Sequence, residues 1–251
     1  MVEITNLSAG YGKKPVLEEI STQFSEGKVT AILGPNGCGK STLLKIISGI
    51  LPLQEGSISV DGTDLSGLDP KHRARIVTYL AQNRPVPQMT VMQLTLHGRF
   101  PYLSYPRRYR REDILVAEDC LKKLGLWELK DAQLTTLSGG QRQKVYLAMA
   151  LAQDTPVVLM DEPTTFLDVG HQLQTLADAK ELARQGKTVV LVLHDLLLAM
   201  EHCDTLAVMT QGHLLHSGTP EEILQTGCLN YVFDIQLCRF RTESGWKYYY
   251  E

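Results

Sequence analysis

The stretch that most restricts what this chain can fold into is Gly34-Pro35-Asn36-Gly37-Cys38-Gly39-Lys40-Ser41-Thr42, with the G-x-x-x-x-G-K-[ST] spacing of a phosphate-binding loop. Such a loop needs a strand before it and a helix after it, and both are legible. Lys28-Val29-Thr30-Ala31-Ile32-Leu33 reads as a short buried strand, and Leu43 to Gly49 as a helix with an apolar face and a glycine end. Glycines at 34, 37 and 39 let the backbone turn tightly and point N–H groups inward, where the helix dipole adds positive potential. Lys40 offers a mobile positive charge to β- and γ-phosphates, and Ser41 a hydroxyl to Mg²⁺.

The rest of the chain is patterned as α/β around that unit. Val2 to Leu7 and Val16 to Phe24 read as strands of a mostly antiparallel sheet, separated by a turn at Ala9-Gly10-Tyr11-Gly12-Lys13. Gln54 to Gly62 reads as turn, strand and turn, and Ile76 to Ala81 as a second apolar strand. From Asn83 to about Ala152 prolines punctuate loops, and helices are expected at Thr90–His97, Arg111–Leu124 and from Leu137 onward. This predicts a helical subdomain over 85–152, inserted into a core made of 1–84 and 153–251. Beyond it come a helix over 168–185, a strand at Lys187–Leu193, a helix at Leu196–His202, and a hairpin through Gln211-Gly212. A short helix from Pro220 and a closing hairpin of Ile235–Phe240 with Trp246–Tyr250 complete the chain.

Several side chains stand where chemistry is done. Pro156 to Pro163 is a buried apolar strand ending in Asp161 and Glu162; a carboxylate at such an end needs a partner, and Mg²⁺ suits Asp161. Glu162, one residue on, is placed to act as general base on a water. Gln82 ends a strand, where a polar residue either faces a ligand crevice or simply closes the strand. Tyr11 either stacks on a purine base or packs. His194 ends a buried strand, a position that suits a satisfied core histidine equally. Leu137-Ser138-Gly139-Gly140-Gln141 opens a helix: Ser138 and Gln141 have capping-box spacing, and the same Ser138 hydroxyl with two glycine N–H groups would make an anion site. A second glycine after the cap weakens the helix without helping the cap, which favours phosphate recognition.

Composition excludes some classes. With Lys+Arg 25 against Asp+Glu 28, the net charge of -3 weighs against a nucleic-acid binder that works by bulk positive charge. The run Arg107-Arg108-Tyr109-Arg110-Arg111 is either a contact for acidic headgroups or an acidic partner, or a solvated loop. Cys38, Cys120, Cys203, Cys228 and Cys238 are scattered, never C-x-x-C, and fit a reducing compartment. No apolar run approaches the ~18 residues of a membrane span, and Met1 to Thr5 show no signal peptide, so a membrane role would need another chain to do the spanning.

Taken in order, these pieces resemble the ATP-binding subunits of ABC transporters across nearly the whole chain. Tyr11 matches the aromatic loop, Gly34 to Thr42 Walker A, Gln82 the Q-loop, Leu137 to Gln141 the LSGGQ signature, and Val157 to Glu162 Walker B. Thr165-Phe166-Leu167-Asp168 matches the D-loop, with threonine where many members have serine, and His194 the switch histidine. The resemblance implies a P-loop NTPase (RecA-like) core with an antiparallel β subdomain and the helical insertion. It also implies ATP and Mg²⁺ as cofactors, with Ser41, Gln82 and Asp161 at the metal. Two subunits would face head to tail, with Ser138, Gly139, Gly140 and Gln141 of one completing the site that Walker A of the other begins. Glu162, His194, Gln82 and Lys40 would carry the hydrolysis, and Asp168 would link the two sites.

Leu96-His97-Gly98-Arg99-Phe100-Pro101-Tyr102, and Thr164 to Asp168 followed by His171-Gln172, resemble importers of iron complexes, haem and vitamin B12. That resemblance implies uptake of a metal chelate, a ferric siderophore first, through permease subunits that dock on residues around 83 to 106. It implies an external substrate-binding protein as well, no nucleic-acid partner, and a peripheral place on the cytoplasmic face of the cell membrane. Haem or vitamin B12 import is the alternative cargo. The rival from another class is a soluble ABC ATPase with no transport partner. The chain has no heptad-bearing insertion and only one cassette, unlike the repair and translation members of that class.

Overall fold

A computed structural model gives the fold for residues 1–12, 14–82, 86–165, 167–243 and 245–251. The first two strands, β1 (Val2–Tyr11) and β2 (Lys14–Phe24), pair antiparallel and bury Val2, Ile4, Leu7, Leu17, Ile20 and Phe24 on one side. β1 runs on to Tyr11, which pairs with Lys14, so the expected wide turn is tighter than its composition suggested; Lys13 lies outside the described residues. All five residues of β3 (Val29–Leu33) are buried, the pattern of a strand covered on both faces.

Then follow α1 (Lys40–Ile47), β4 (Glu55–Val60), β5 (Thr63–Asp64), α2 (Pro70–Arg73) and β6 (Val77–Leu80). The next segment is helical: α3 (Val91–His97), α4 (Arg111–Lys123) and α5 (Gly139–Gln153) pack on one another, and α5 also lies against β6. β7 (Val157–Asp161), α6 (Val169–Arg184), β8 (Thr188–Val192), α7 (Leu196–His202), β9 (Thr205–Thr210) and β10 (His213–Gly218) rebuild the α/β pattern. The chain closes with α8 (Pro220–Thr226), α9 (Cys228–Phe233) and a hairpin of β11 (Leu237–Thr242) and β12 (Gly245–Tyr250). α9 was not foreseen, because six residues mixing aromatic, β-branched and polar types have no readable period. Ser244 of the hairpin turn lies outside the described residues.

Two sheets result. One is six-stranded in the order β10-β9-β3-β8-β7-β6, parallel except for the β9–β10 hairpin; the other is the antiparallel β2-β1-β4-β5. The fully buried parallel strands divide their residues by parity between two cores. Val157, Leu159, Val190, Val192 and Ile32 face the core that holds Leu43, Leu44 and Ile47 of α1 and the inner face of the antiparallel sheet. Val158, Met160, Val189, Leu191 and Leu33 face the core that holds Val91, Leu94, Leu121, Val145 and Ala148 of the helical segment. So α1 is held between two sheets, and α5 lies on the other side of the larger one. Among the described residues, no helix is long and apolar enough to cross a membrane.

Candidate active site

The loop from Gly34 to Thr42 joins β3 to α1, and its glycines are needed for separate physical reasons. A Cβ on Gly34 would sit 2.2 Å from the Met209 carbonyl oxygen, so only a bare backbone fits beside β9. Gly37 and Gly39 take φ of 80° and 106°, left-handed values that side chains resist. Gly39 is the N-cap of α1 and gives no side-chain cap, so the first N–H groups of the helix have no protein cap to compete with a ligand. Lys40 is only 5% exposed, and its Nζ donates to the carbonyls of Gly34 at 2.6 Å and Pro35 at 2.9 Å. Cys38 is buried within the turn, and that burial pushes its thiol pKa up, leaving it a small apolar group at neutral pH.

A cavity of about 310 Å³ opens over this loop, lined by Tyr11, Val16, Asn36, Gly37, Gly39, Lys40, Ser41, Thr42 and Glu162. Tyr11, 53% exposed, stands at its edge with its ring available to a ligand. Gly34, Pro35 and Cys38 form the back of the loop and do not line this cavity.

β7 delivers the two carboxylates. Asp161 is 3% exposed, and its oxygens are both occupied: Oδ1 accepts from Ser41 Oγ at 2.8 Å and Oδ2 from the Tyr79 hydroxyl at 2.9 Å. Sequence reading missed Tyr79. Its signal was a hydroxyl-bearing aromatic near the carboxyl end of β6, the strand paired with β7. Glu162 follows with φ of 49°, a left-handed backbone that turns its side chain away from the strand. Its Oε1 accepts from His194 Nε2 at 2.6 Å; its Oε2 accepts from Thr165 Oγ1 at 3.1 Å and from the side-chain amide of Gln82. Gln82 and His194, both distant in sequence, therefore join Thr165, three residues on, at one carboxylate. The amide of Gln82 goes to Glu162 here, while Ser41 holds Asp161.

Ser138, Gly139, Gly140 and Gln141 lie elsewhere, at the exposed tip of α5. Ser138 Oγ accepts from the Gln141 N–H at 3.2 Å, and Gln141 Oε1 from the Ser138 N–H at 3.0 Å, closing the capping box. The two glycines differ. Around Gly139 an added Cβ would meet nothing within 4 Å; on Gly140 it would meet the His171 ring at 2.3 Å. The second glycine is therefore a weaker sign of phosphate recognition than its position suggested: at Gly140 a side chain would have to displace the part-exposed His171 ring, whereas around Gly139 the space is open. Asp168 caps α6 by accepting from the His171 N–H at 2.9 Å; Phe166 lies outside the described residues.

The Gly98–Tyr102 segment is tied inward. A Cβ on Gly98 would strike the Met149 carbonyl oxygen at 2.1 Å. Arg99 donates to Asp113 at 3.1 Å and to the Ala152 carbonyl at 2.9 Å, and it stacks over the Tyr102 ring at 4.0 Å. These residues clip the helical segment together. Phe100, under Arg107 at 4.8 Å, and Tyr105 point outward instead. Asn83, Arg84 and Pro85, the start of the expected docking segment, lie outside the described residues.

The chain is similar to known proteins over most of its length. The family model for "ABC transporter" matches residues 17–165. The ferric enterobactin transport ATP-binding protein FepC of Escherichia coli K12 is 38% identical over 92% of this chain and 86% of its own. An inward-facing transporter assigned to the metal-chelate ABC type superimposes with a TM-score of 0.86 at 26% identity, covering 100% of this chain and 96% of that one. A dimeric ATP-binding cassette bound to ADP and Pi after hydrolysis superimposes with a TM-score of 0.75 at 29% identity, over 88% of this chain and 99% of that one.

Proposed function

The chain belongs to the ABC transporter family, and from that premise we propose that it is the ATP-hydrolysing subunit of a metal-chelate importer, with a ferric siderophore as cargo. ATP-binding subunits of this family hydrolyse ATP to drive transport. The observation that carries the catalytic reading is the convergence of His194, Gln82 and Thr165 on Glu162 at the edge of the loop cavity.

In this reading Lys40 exchanges the Gly34 and Pro35 carbonyls for the β- and γ-phosphates, while Gly37, Gly39 and the first N–H groups of α1 cradle them, with Asn36 and Thr42 alongside. Tyr11 stacks on the base. Ser41 and Asp161 put hard oxygen donors 2.8 Å apart, a set that would hold Mg²⁺ arriving with the nucleotide, with the Gln82 side-chain oxygen as a further ligand. Among the described residues no group of three or more His, Cys, Asp or Glu could hold a metal, which fits an ion that takes its remaining positions from phosphate and water. Bound there, Mg²⁺ neutralises charge on the phosphates. Glu162 takes a proton from the attacking water, and His194 holds its carboxylate in place.

Ser138, Gly139, Gly140 and Gln141 act on the nucleotide of a second copy of the chain, which makes the working unit a homodimer with facing sites. The division into a core of 1–84 and 153–251 and a helical subdomain of 85–152 belongs to the same reading. So do the permease that docks near residues 83–106, the external substrate-binding protein, and a peripheral place on the cytoplasmic face of the membrane. Outward-facing Val86, Phe100 and Tyr105 supply the apolar surface for docking. The cargo reading draws on the name of the E. coli relative and the type of the superimposed transporter. Glu162→Gln tests the chemistry: it should bind Mg·ATP, dimerise on its addition, and lose about a thousandfold in turnover. Normal turnover would remove Glu162 from the role of base. Co-purification tests the partner: a hydrophobic permease should come down with the chain and confer ATP-dependent uptake of a ferric siderophore on vesicles, and its absence would overturn the importer reading.

A further inference from the structure

The turn between Glu162 and α6 is bonded from both sides. From α5, Gln143 Nε2 donates to the Pro163 carbonyl at 3.0 Å; from α6, Gln172 Nε2 donates to the Leu167 carbonyl at 3.1 Å. A third link bridges the two helices. His171 Nδ1 lies 2.8 and 2.9 Å from the two oxygens of Asp168, whose carboxyl is held below its ordinary pKa by the His171 backbone N–H and then by the ring. An ionised carboxylate only accepts, so Nδ1 carries the proton and the ring is oriented. The opposite edge of that ring, Cδ2 and Nε2, lies over Gly140, filling the place a side chain would need. One imidazole thus touches both the Asp168 cap of α6 and the first turn of α5.

We propose that His171 is a positioning residue that locks the α5 tip at Gly140 to the loop bearing Asp168, so that the half-site this chain lends to a partner moves with the Glu162 end of its own half-site. The proposal rests on the reading of Ser138 to Gly140 as nucleotide contacts. The geometry gives it content. Without the ring, α5 keeps its capping box and α6 keeps the Asp168 cap, so each helix end still forms. What is lost is the direct contact between the two helix starts, while the tie from Gln143 to the Pro163 carbonyl stays.

The test is steady-state ATP hydrolysis by the full chain carrying His171→Ala or His171→Asn, measured beside Ser138→Ala. With the link removed, kcat should fall about tenfold with KM for ATP unchanged, because the tip is displaced while the loop that binds nucleotide is not. The Hill coefficient for ATP should fall towards one. A fluorescent ATP analogue should bind the variant chains as it binds the parent. In thermal unfolding, Gly140→Ala should raise Tm more when His171→Ala is also present than in the parent, since alanine favours the helix in both backgrounds and only in the parent must the ring move aside. If kcat and the Hill coefficient hold in both His171 variants while Ser138→Ala is impaired, His171 is a packing residue and the proposal falls. If Ser138→Ala also turns over normally, the reading beneath it falls as well.

Discussion

Two glycine-bearing helix starts in this molecule are built in opposite ways. The start of α1 is buried, has no side-chain cap, and depends on left-handed glycines and on a lysine folded back onto its own loop. The start of α5 is exposed, carries a complete capping box, and needs no left-handed residue. A helix end with a cap is finished as protein structure; one without a cap leaves N–H groups for something else. By that criterion α1 is made to hold an anion by itself. The α5 tip is finished by its own capping box and, in the proposed reading, meets a ligand only when another surface is brought to it.

Substitutions can break or sharpen this contrast. Lys40→Ala should have the largest effect, lowering ATPase activity by about 10²–10³ and weakening nucleotide binding to a single chain, both measurable by phosphate release and equilibrium titration. Ser138→Ala should leave single-chain binding intact. Hydrolysis should drop about tenfold or more, and unfolding should show the ~1 kcal/mol cost of a lost cap. Equal losses of single-chain affinity in the two variants would erase the distinction. Gly139→Ala should have the smallest effect on the fold, because a Cβ there meets open space; stability should hold or rise by up to ~1 kcal/mol in chemical denaturation.

How much of this was legible in advance follows from the range of the interaction. The loop at Gly34 to Thr42 is local: spacing, strand and helix are contiguous, and each glycine answers to its own backbone. Ser138 and Gln141 declare their capping box by their offset of three. Alternation and apolar runs gave β3, β7 and β8 to within a residue or two. The bond from Tyr79 to Asp161 was not legible, because it depends on which strand lies beside β7. The approach of His171 to Gly140 was hidden for the same reason, and it led the second glycine to be over-read. The Gly98–Tyr102 segment shows the converse: its outward look in sequence concealed a clip whose partners, Asp113, Ala152 and Met149, come from two other helices.

β7 is a party wall. Alternate residues of this strand belong to the room that houses α1 and to the room that houses α5, and its last residue and the one after it are Asp161 and Glu162. A disturbance born on either side meets the same thin partition, and the pair of acids at its rim is where both would be felt.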